Sequence, residues 1–360
     1  MKILIDIGHP AHVHYFKNFI KMMQSKGHQF LITARDKEVS QQLLKANGID
    51  FISRGKGSDS AFGKIMYMLK ADCMLFKYSS KFKPDIYMSF GSPYAAQVAW
   101  LKRKPHIVFD DTENAVLGRK FYLPFSDVVL TPDCFKLDLG KKQIRFRGYM
   151  ELCYLHPNWI EKSLVSIDDL AIKDEEYAIL RFVSWNANHD IGHKGFSEKN
   201  KKRIADLLSE NLKVYITSEK KLSADLEKYQ IKIRPDQMHS VLKNASMLFG
   251  ESATMASESA VLGIPSIYID DAGRGYTDEE ESKYSLVYNF KESEADQELA
   301  IQKAAEVISN DEIITNAKKA QETLLKDKID VTKFMIWFVE NFPESKTIMQ
   351  SNPDYQLNFK

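Results

Sequence analysis

Two short stretches of the chain carry residue types able to do chemistry. The first is "ILIDIGHPAHVHYFK", residues 3–17, where an apolar run breaks at Gly8 and His9, His12 and His14 follow. Histidine titrates nearest neutrality and is a common metal ligand, so the cluster is a metal site, a proton-transfer loop or an ordinary turn. A metal site needs converging ligands, usually with carboxylate or thiolate help. No cysteine stands nearby and Asp6 lies inside the apolar run, which argues for the other two readings. The second stretch is "LFGESATMASESAVLGIP", residues 248–265. Its apolar run ends at Gly250, and Ser252, Ala253 and Thr254 stand where a helix begins. Free amides and the helix dipole favour a phosphate there, and the Ser252 and Thr254 hydroxyls add donors. Glu258, four residues after Thr254, falls on the same helix face one turn deeper, where it can accept hydrogen bonds from a ribose. A plain N-cap followed by a surface glutamate has the same spacing.

Strands and helices must hold both stretches. "KILIDIG" is a short apolar run ending in Gly, as buried parallel strands do, and "HYFKNFIKMMQSKG" continues with helical spacing and a Gly stop. "HQFLITA", "DFISRG", "PDIYMSF", "PHIVFDD" and "SDVVLT" alternate with helical patterns, which implies a parallel sheet covered on both faces. The alternation restarts at "EYAILRFVSW" and runs through "KVYITS", "IKIRP", "SMLFG" and "PSIYID", a second open α/β sheet. The expected organisation is a first domain over residues 1–150, a linker over 151–172 that lacks a clean period, a second domain over 173–330, and a C-terminal helix within 331–360. Ligands of such sheets lie beyond the carboxyl ends of the strands, so two facing sheets would enclose a cleft lined by "GHPAHVH".

Bulk properties narrow the class. Residues 1–160 hold 24 Lys and Arg against 14 Asp and Glu, and residues 161–360 hold 26 against 35, so a basic half precedes an acidic one. This asymmetry suits domains with different partners, or a solvated surface. Cys73, Cys134 and Cys153 form no CxxC pair, pointing to a reduced, cytoplasmic setting. The N-terminus reads as a strand without a signal peptide, and no apolar run approaches a membrane span. Residues 60–83 form a helix with Phe62, Ile65, Met66, Leu69, Cys73 and Phe76 in one stripe, edged by Lys64, Lys70, Lys77, Lys81 and Lys83. It either lies in a membrane interface or packs on its own sheet with a lysine-rich outer edge.

The Ser252-to-Glu258 interval, followed by Leu262-Gly263 and Pro265, resembles the nucleotide-diphosphate site of GT-B glycosyltransferases and of the non-hydrolysing UDP-N-acetylglucosamine 2-epimerases. "RPDQMHSVLKNASMLFG" resembles the segment leading into that site, with Met238 at the place beside the base. Over nearly the full length, "MKILIDIGHPAHVHYFKN", "GYMELCYLHP" and the Ser-Glu helix resemble an uncharacterised bacterial and archaeal family of predicted GT-B glycosyltransferases. The resemblance implies an α/β GT-B fold of two Rossmann-like domains facing each other across a cleft, with the C-terminal helix crossing back onto the first. The implied activity is transfer of a sugar from a nucleotide-diphosphate donor, a UDP-sugar, to a glycan or lipid-linked acceptor in cell-surface polysaccharide synthesis. No metal, other cofactor or nucleic acid is expected, and contact with the inner face of the cytoplasmic membrane would fit such an acceptor.

Further residues follow from the resemblance. In the peptidoglycan N-acetylglucosaminyltransferase, similar in fold, a Gly-rich turn after the first strand ends in a His facing the acceptor. "AHVHYF" places His12 there, as general base, with His9 and Asp110 as the other catalytic candidates; Pro10 and Ala11 replace the paired glycines. Arg181, Ser184, Asn186 and His189 fall where such enzymes contact the diphosphate. Thr277 or Glu279, in a segment whose Gly273 and Gly275 suggest mobility, falls where the donor sugar is read. Epimerisation is the alternative, along with an inactive nucleotide-sugar- or glycan-binding protein. "SFGSPYA" puts Ser92 where an epimerase needs an acid, and "HIVFDDTEN" replaces an "HVEAG"-like motif. A hydroxyl titrates too high to replace a carboxylate in proton transfer.

Overall fold

Runs of Ile, Leu and Val form the sheet centres in a computed structural model of the chain, which describes residues 1–58, 60–160, 164, 172, 176–183, 195–218 and 221–360. The chain divides into two units, Met1–Tyr154 with Ile329–Lys360, and Leu155–Lys328.

The first unit alternates β1 (Lys2–Ile7), α1 (Pro10–Ser25), β2 (Gln29–Ala34), α2 (Glu38–Ala46), β3 (Ile52–Ser53), α3 (Ala61–Phe82), β4 (Ile86–Phe90), α4 (Pro93–Leu101), β5 (His106–Phe109), α5 (Val116–Tyr122), β6 (Val128–Pro132) and β7 (Gln143–Phe146). Its strands are parallel in the order β3-β2-β1-β4-β5-β6-β7. Order reverses between β1 and β4, so the loops leaving these two strands diverge and open a crevice at their carboxyl ends. The loop after β1 is "GHPAHVH". Leu4, Leu75, Tyr87, Ala95 and Val98 pack α3 and α4 onto one sheet face.

After the short α6 (Leu152–Leu155), which ends at its start, the second unit opens with α7 (Pro157–Ile160). It contains β8 (Tyr177–Phe182), α8 (Glu198–Ser209), β9 (Lys213–Ser218), α9 (Ala224–Glu227), α10 (Met238–Lys243), β10 (Met247–Gly250), α11 (Ala253–Leu262), β11 (Ser266–Ile269), α12 (Gly275–Ser282), β12 (Val287–Phe290), α13 (Glu294–Ser309) and α14 (Asp311–Asp327). The parallel order is β12-β11-β10-β8-β9, and its reversal lies between β8 and β10. Gly250 ends β10 because a Cβ there would run into the Arg181 carbonyl oxygen on β8. Gly263, at φ 76°, closes α11 in the left-handed conformation that glycine adopts at least cost.

The chain then returns to the first unit as α15 (Val331–Glu340) and α16 (Glu344–Ser351). The Phe334 ring centroid lies 6.0 Å from that of Phe146, and Thr332 Oγ1 donates to the Cys153 carbonyl at 2.8 Å. Residues 151–155, read from sequence as the start of a linker, are buried, and α6 carries Cys153 against this helix. "IKIRP" forms no strand: its neighbour Gln230 makes one isolated bridge to Ile216. Its Lys and Arg alternate with the apolar residues, so one side stays in water.

Candidate functional site

In the second unit the site grows from the turn between β10 and α11. Ser252 is the N-cap of α11, and its Oγ accepts from Met255 N over a long 3.4 Å. The hydroxyl is therefore lightly held, while the first-turn amides have no partner one turn back. Ser252, Ala253 and Thr254 are half-buried, whereas everything from Met255 to Leu262 is buried. Small residues in "ATMASESAVL" let α11 sink between its neighbours, leaving only its amino end open. Beneath that end, Glu258 is 5% exposed and its Oε1 lies 2.8 Å from His239 Nε2. A surface glutamate is thereby excluded. His239, the second residue of α10, follows the half-buried Met238.

Glu251 was not singled out from the sequence. It is buried, and its carboxylate accepts from Val183 N at 2.9 Å and Phe196 N at 2.5 Å, bracketing the segment that leaves β8. Two residues expected in that segment, Ser184 and Asn186, lie outside the described residues, as does His189. Arg181 belongs to β8 itself, and its carbonyl accepts from Glu251 N at 3.0 Å.

The segment expected to be a mobile sugar-reading loop is largely helix and strand. Gly275 starts α12, Thr277 is fully buried, and its Oγ1 donates to the Arg274 carbonyl at 3.2 Å. Thr277 is therefore a packing residue in this conformation. Glu279 pairs with Lys328 Nζ at 2.7 Å. The neighbouring Glu280 is buried, takes the Ser257 hydroxyl at 2.5 Å, and is pushed up to about 8 by burial.

In the first unit, the histidine loop is built from side-chain acceptors. Exposed His9 is the N-cap of α1, with Nδ1 accepting from Ala11 N at 3.3 Å. Pro10 at the first helical position needs no hydrogen-bond partner for its nitrogen. His12 Nδ1 accepts from Gly8 N at 3.2 Å, and its ring lies 4.8 Å from Phe90 between centroids. Burial first, then His9, Lys37 and Arg54, hold His12 well below the usual histidine range. A neutral ring whose Nδ1 accepts carries its proton on Nε2. In that tautomer Nε2 presents an N–H, whereas the general-base role expected above would need its lone pair. His14 points elsewhere: it is buried and stacks on Tyr154 at 5.1 Å.

The other catalytic candidate, Asp110, is structurally engaged. Its Oδ2 accepts from Arg119 Nη1 at 2.7 Å and the Tyr122 hydroxyl at 2.5 Å, and its Oδ1 from Thr112 N at 3.0 Å. Both of its oxygens therefore accept hydrogen bonds from neighbouring groups. Asp6 is also a missed element. It is fully buried, 2.6 Å from Arg54 Nε, and accepts from Thr33 Oγ1 at 2.6 Å and Ser92 Oγ at 2.5 Å. Only its place inside an apolar strand hinted that it needed a buried cation.

Two Rossmann-like units in series, each a parallel sheet whose strand order reverses once, define the GT-B class of α/β fold. Solved structures similar to this chain include the UDP-GlcNAc 2-epimerase from Neisseria meningitidis bound to UDP-GlcNAc. That match has 15% identity and a TM-score of 0.66, covering 91% of this chain and all of that one. The Methanocaldococcus jannaschii UDP-GlcNAc 2-epimerase in complex with UDP-GlcNAc and UDP matches at 13% identity and TM-score 0.63, over 86% and 93%. A spinosyn rhamnosyltransferase complexed with spinosyn aglycone matches at 11% and 0.58, over 94% and 99%. Such identities speak to the fold. The chain belongs to the family described as "Protein of unknown function (DUF354)", which it matches over residues 1–278. An uncharacterized protein of Methanocaldococcus jannaschii is 27% identical over 281 residues, 74% of this chain and 81% of its own length.

Proposed function

We propose that the protein is a nucleotide-sugar glycosyltransferase whose second unit holds a UDP-sugar and whose first unit serves a glycan or lipid-linked acceptor. The observation that carries the reading is the paired chemistry at α11: a half-open helix N-terminus with Ser252 and, one turn deeper, a buried Glu258 oriented by His239. Amides and a hydroxyl suit a diphosphate, and a fixed carboxylate suits the vicinal hydroxyls of a ribose. Met238 is the candidate neighbour of the base, and Arg181, Ser184 and Asn186 remain candidates for the diphosphate. In the first unit, His12 offers a neutral Nε2–H, able to hold an acceptor or donor oxygen in register.

Epimerisation is the second reading, since several similar folds are named for it. Chemistry at the β4 turn weighs against it. Ser92 caps α4 and donates to Asp6, and Asp6 is sealed beneath it with Arg54, so no carboxylate is available there to move a carbon-bound proton. The test is incubation with UDP-sugars in heavy water, followed by mass spectrometry and NMR. Transfer or slow hydrolysis without deuterium at C2 is the expected result. Deuterium at C2 of the sugar overturns the transferase reading.

A further inference from the structure

The stripe seen in the sequence of α3 does not pack on the sheet. Leu75 makes that contact, with Ala71 also buried, while Phe62, Ile65, Met66, Leu69 and Phe76 are exposed, Phe62 with 75% of its surface. The same sheet face carries α4 beside α3 and α5 beside α4. On α4, Trp100 and Leu101 are each 58% exposed, and on α5, Leu117 is 62% exposed with Phe121 nearby in sequence and also exposed. Lys102 Nζ stands 3.6 Å above the Phe76 ring, and Gln97 Nε2 donates to the Phe121 carbonyl at 3.1 Å, so the three helices form one surface. Isolated exposed apolar residues are ordinary, but a run of large ones across three adjacent helices is not.

Charge names the occupant. Residues 61–83, 93–104 and 116–122 contain ten Lys and Arg and a single acid, Asp72. That acid is half-buried and close enough to Asp6 and Arg54 to feel their charges, away from the apolar stripe. Lys70, Lys77, Lys81, Arg103, Lys104 and Lys120 are exposed around the apolar residues. Aromatic and aliphatic side chains that enter an acyl boundary, accompanied on the same three helices by many cations and one half-buried acid, match an anionic lipid surface. No helix among the described residues is long and apolar enough to cross a membrane. We infer that the α3–α4–α5 face docks the protein peripherally onto an anionic bilayer. Nucleotide chemistry in the second unit plays no part in this inference.

Vesicle flotation of the full chain tests it, using phosphatidylcholine vesicles with and without about a third phosphatidylglycerol. Partition onto the anionic vesicles, weakened by salt, is expected. Phe62→Ser with Leu69→Ser should lower it on the order of tenfold or more by removing inserted apolar area. Lys70→Glu with Lys77→Glu should lower it by roughly fivefold per charge on anionic vesicles alone. Leu299→Ser, at an exposed leucine on α13, should change nothing. Retained folding of each variant is read from its melting curve. Failure of the wild type to float, or flotation unaffected by the serine pair, overturns the inference. So does a concentration-dependent dimer that the serine pair dissociates while no vesicle binding is seen.

Discussion

Nε2 of His239 lies 2.8 Å from Oε1 of Glu258, joining the start of α10 to the second turn of α11 with both side chains buried. A carboxylate fixed in this way loses little freedom when it receives ribose hydroxyls, which is what a nucleotide site needs. Glu258→Gln should therefore weaken UDP binding by about 1.5–3 kcal/mol, roughly ten- to a hundred-fold, by calorimetric titration. His239→Ala should weaken it too and also lower the melting temperature, because it leaves a buried carboxylate short of its donor. Ser252→Ala should cost less affinity, since the backbone amides remain. UDP affinity unchanged in Glu258→Gln removes the main support for a nucleotide-sugar enzyme.

Two buried titrating groups contribute to opposite limbs of the stability profile. His106 is fully buried with Ser89 Oγ and Ser126 Oγ each 2.9 Å from a ring nitrogen, and burial pulls it down to about 3. Unfolded, it titrates near 6.5, so between these values the unfolded chain binds a proton that the folded chain does not. Stability should fall as pH drops from about 6.5 towards 3, by up to about 1.4 kcal/mol per pH unit. Glu280 acts in reverse. Held protonated up to about 8 when folded and ionising near 4.5 when unfolded, it makes stability fall as pH rises between those values. Glu280→Gln should flatten the alkaline limb and raise stability at pH 8 by on the order of a few kcal/mol. Urea melts from pH 4 to 9 give both limbs, and an unaltered profile in Glu280→Gln defeats the assignment.

Local pattern and chain-wide pairing were not equally legible in the sequence. Strands β1, β4, β5 and β10 are mostly apolar runs, and the Ser252–Glu258 spacing is local, so both were readable. β7 and β12 were not, because "QIRF" and "VYNF" are short edge strands whose polar residues face water or side-chain partners. His239 with Glu258 and Asp6 with Arg54 are pairs separated by 19 and 48 positions that only the folded sheet brings together. The engagement of the catalytic candidate Asp110 was hidden for the same reason: its partner Arg119 lies a helix turn beyond the loop, and nothing in the spacing marked the pair.

Asp110 and Arg119 give a prediction that separates structure from catalysis. Both are buried, and removing the guanidinium strands a carboxylate that Tyr122 and Thr112 satisfy only in part. Arg119→Ala should destabilise the first unit by about 3–5 kcal/mol in denaturant melts. UDP titration of the folded variant should match the wild type. A stable Arg119→Ala protein with lost turnover would instead support Asp110 as a catalytic residue.

His12 sits at the last point where two chemistries diverge. Its Nδ1 accepts the Gly8 amide, its ring is packed by Phe90, and its proton affinity is depressed by burial first and then by the neighbouring His9, Lys37 and Arg54. Nitrogen-15 spectra at pH 7 should therefore show a neutral ring protonated on Nε2, with no titration between pH 6 and 8. A donor role and a general-base role then predict different variants. His12→Gln keeps an N–H near the Nε2 position and should retain measurable transfer, whereas His12→Asn, which can replace only the Nδ1 acceptor, should lose far more. Loss of a general base predicts both variants falling together by a factor on the order of 10² to 10⁴. Chelator should leave wild-type transfer unchanged, because Nδ1 of both His9 and His12 is taken by a backbone amide. Spectra with the proton on Nδ1, together with equal losses in Gln and Asn, would restore His12 as the base.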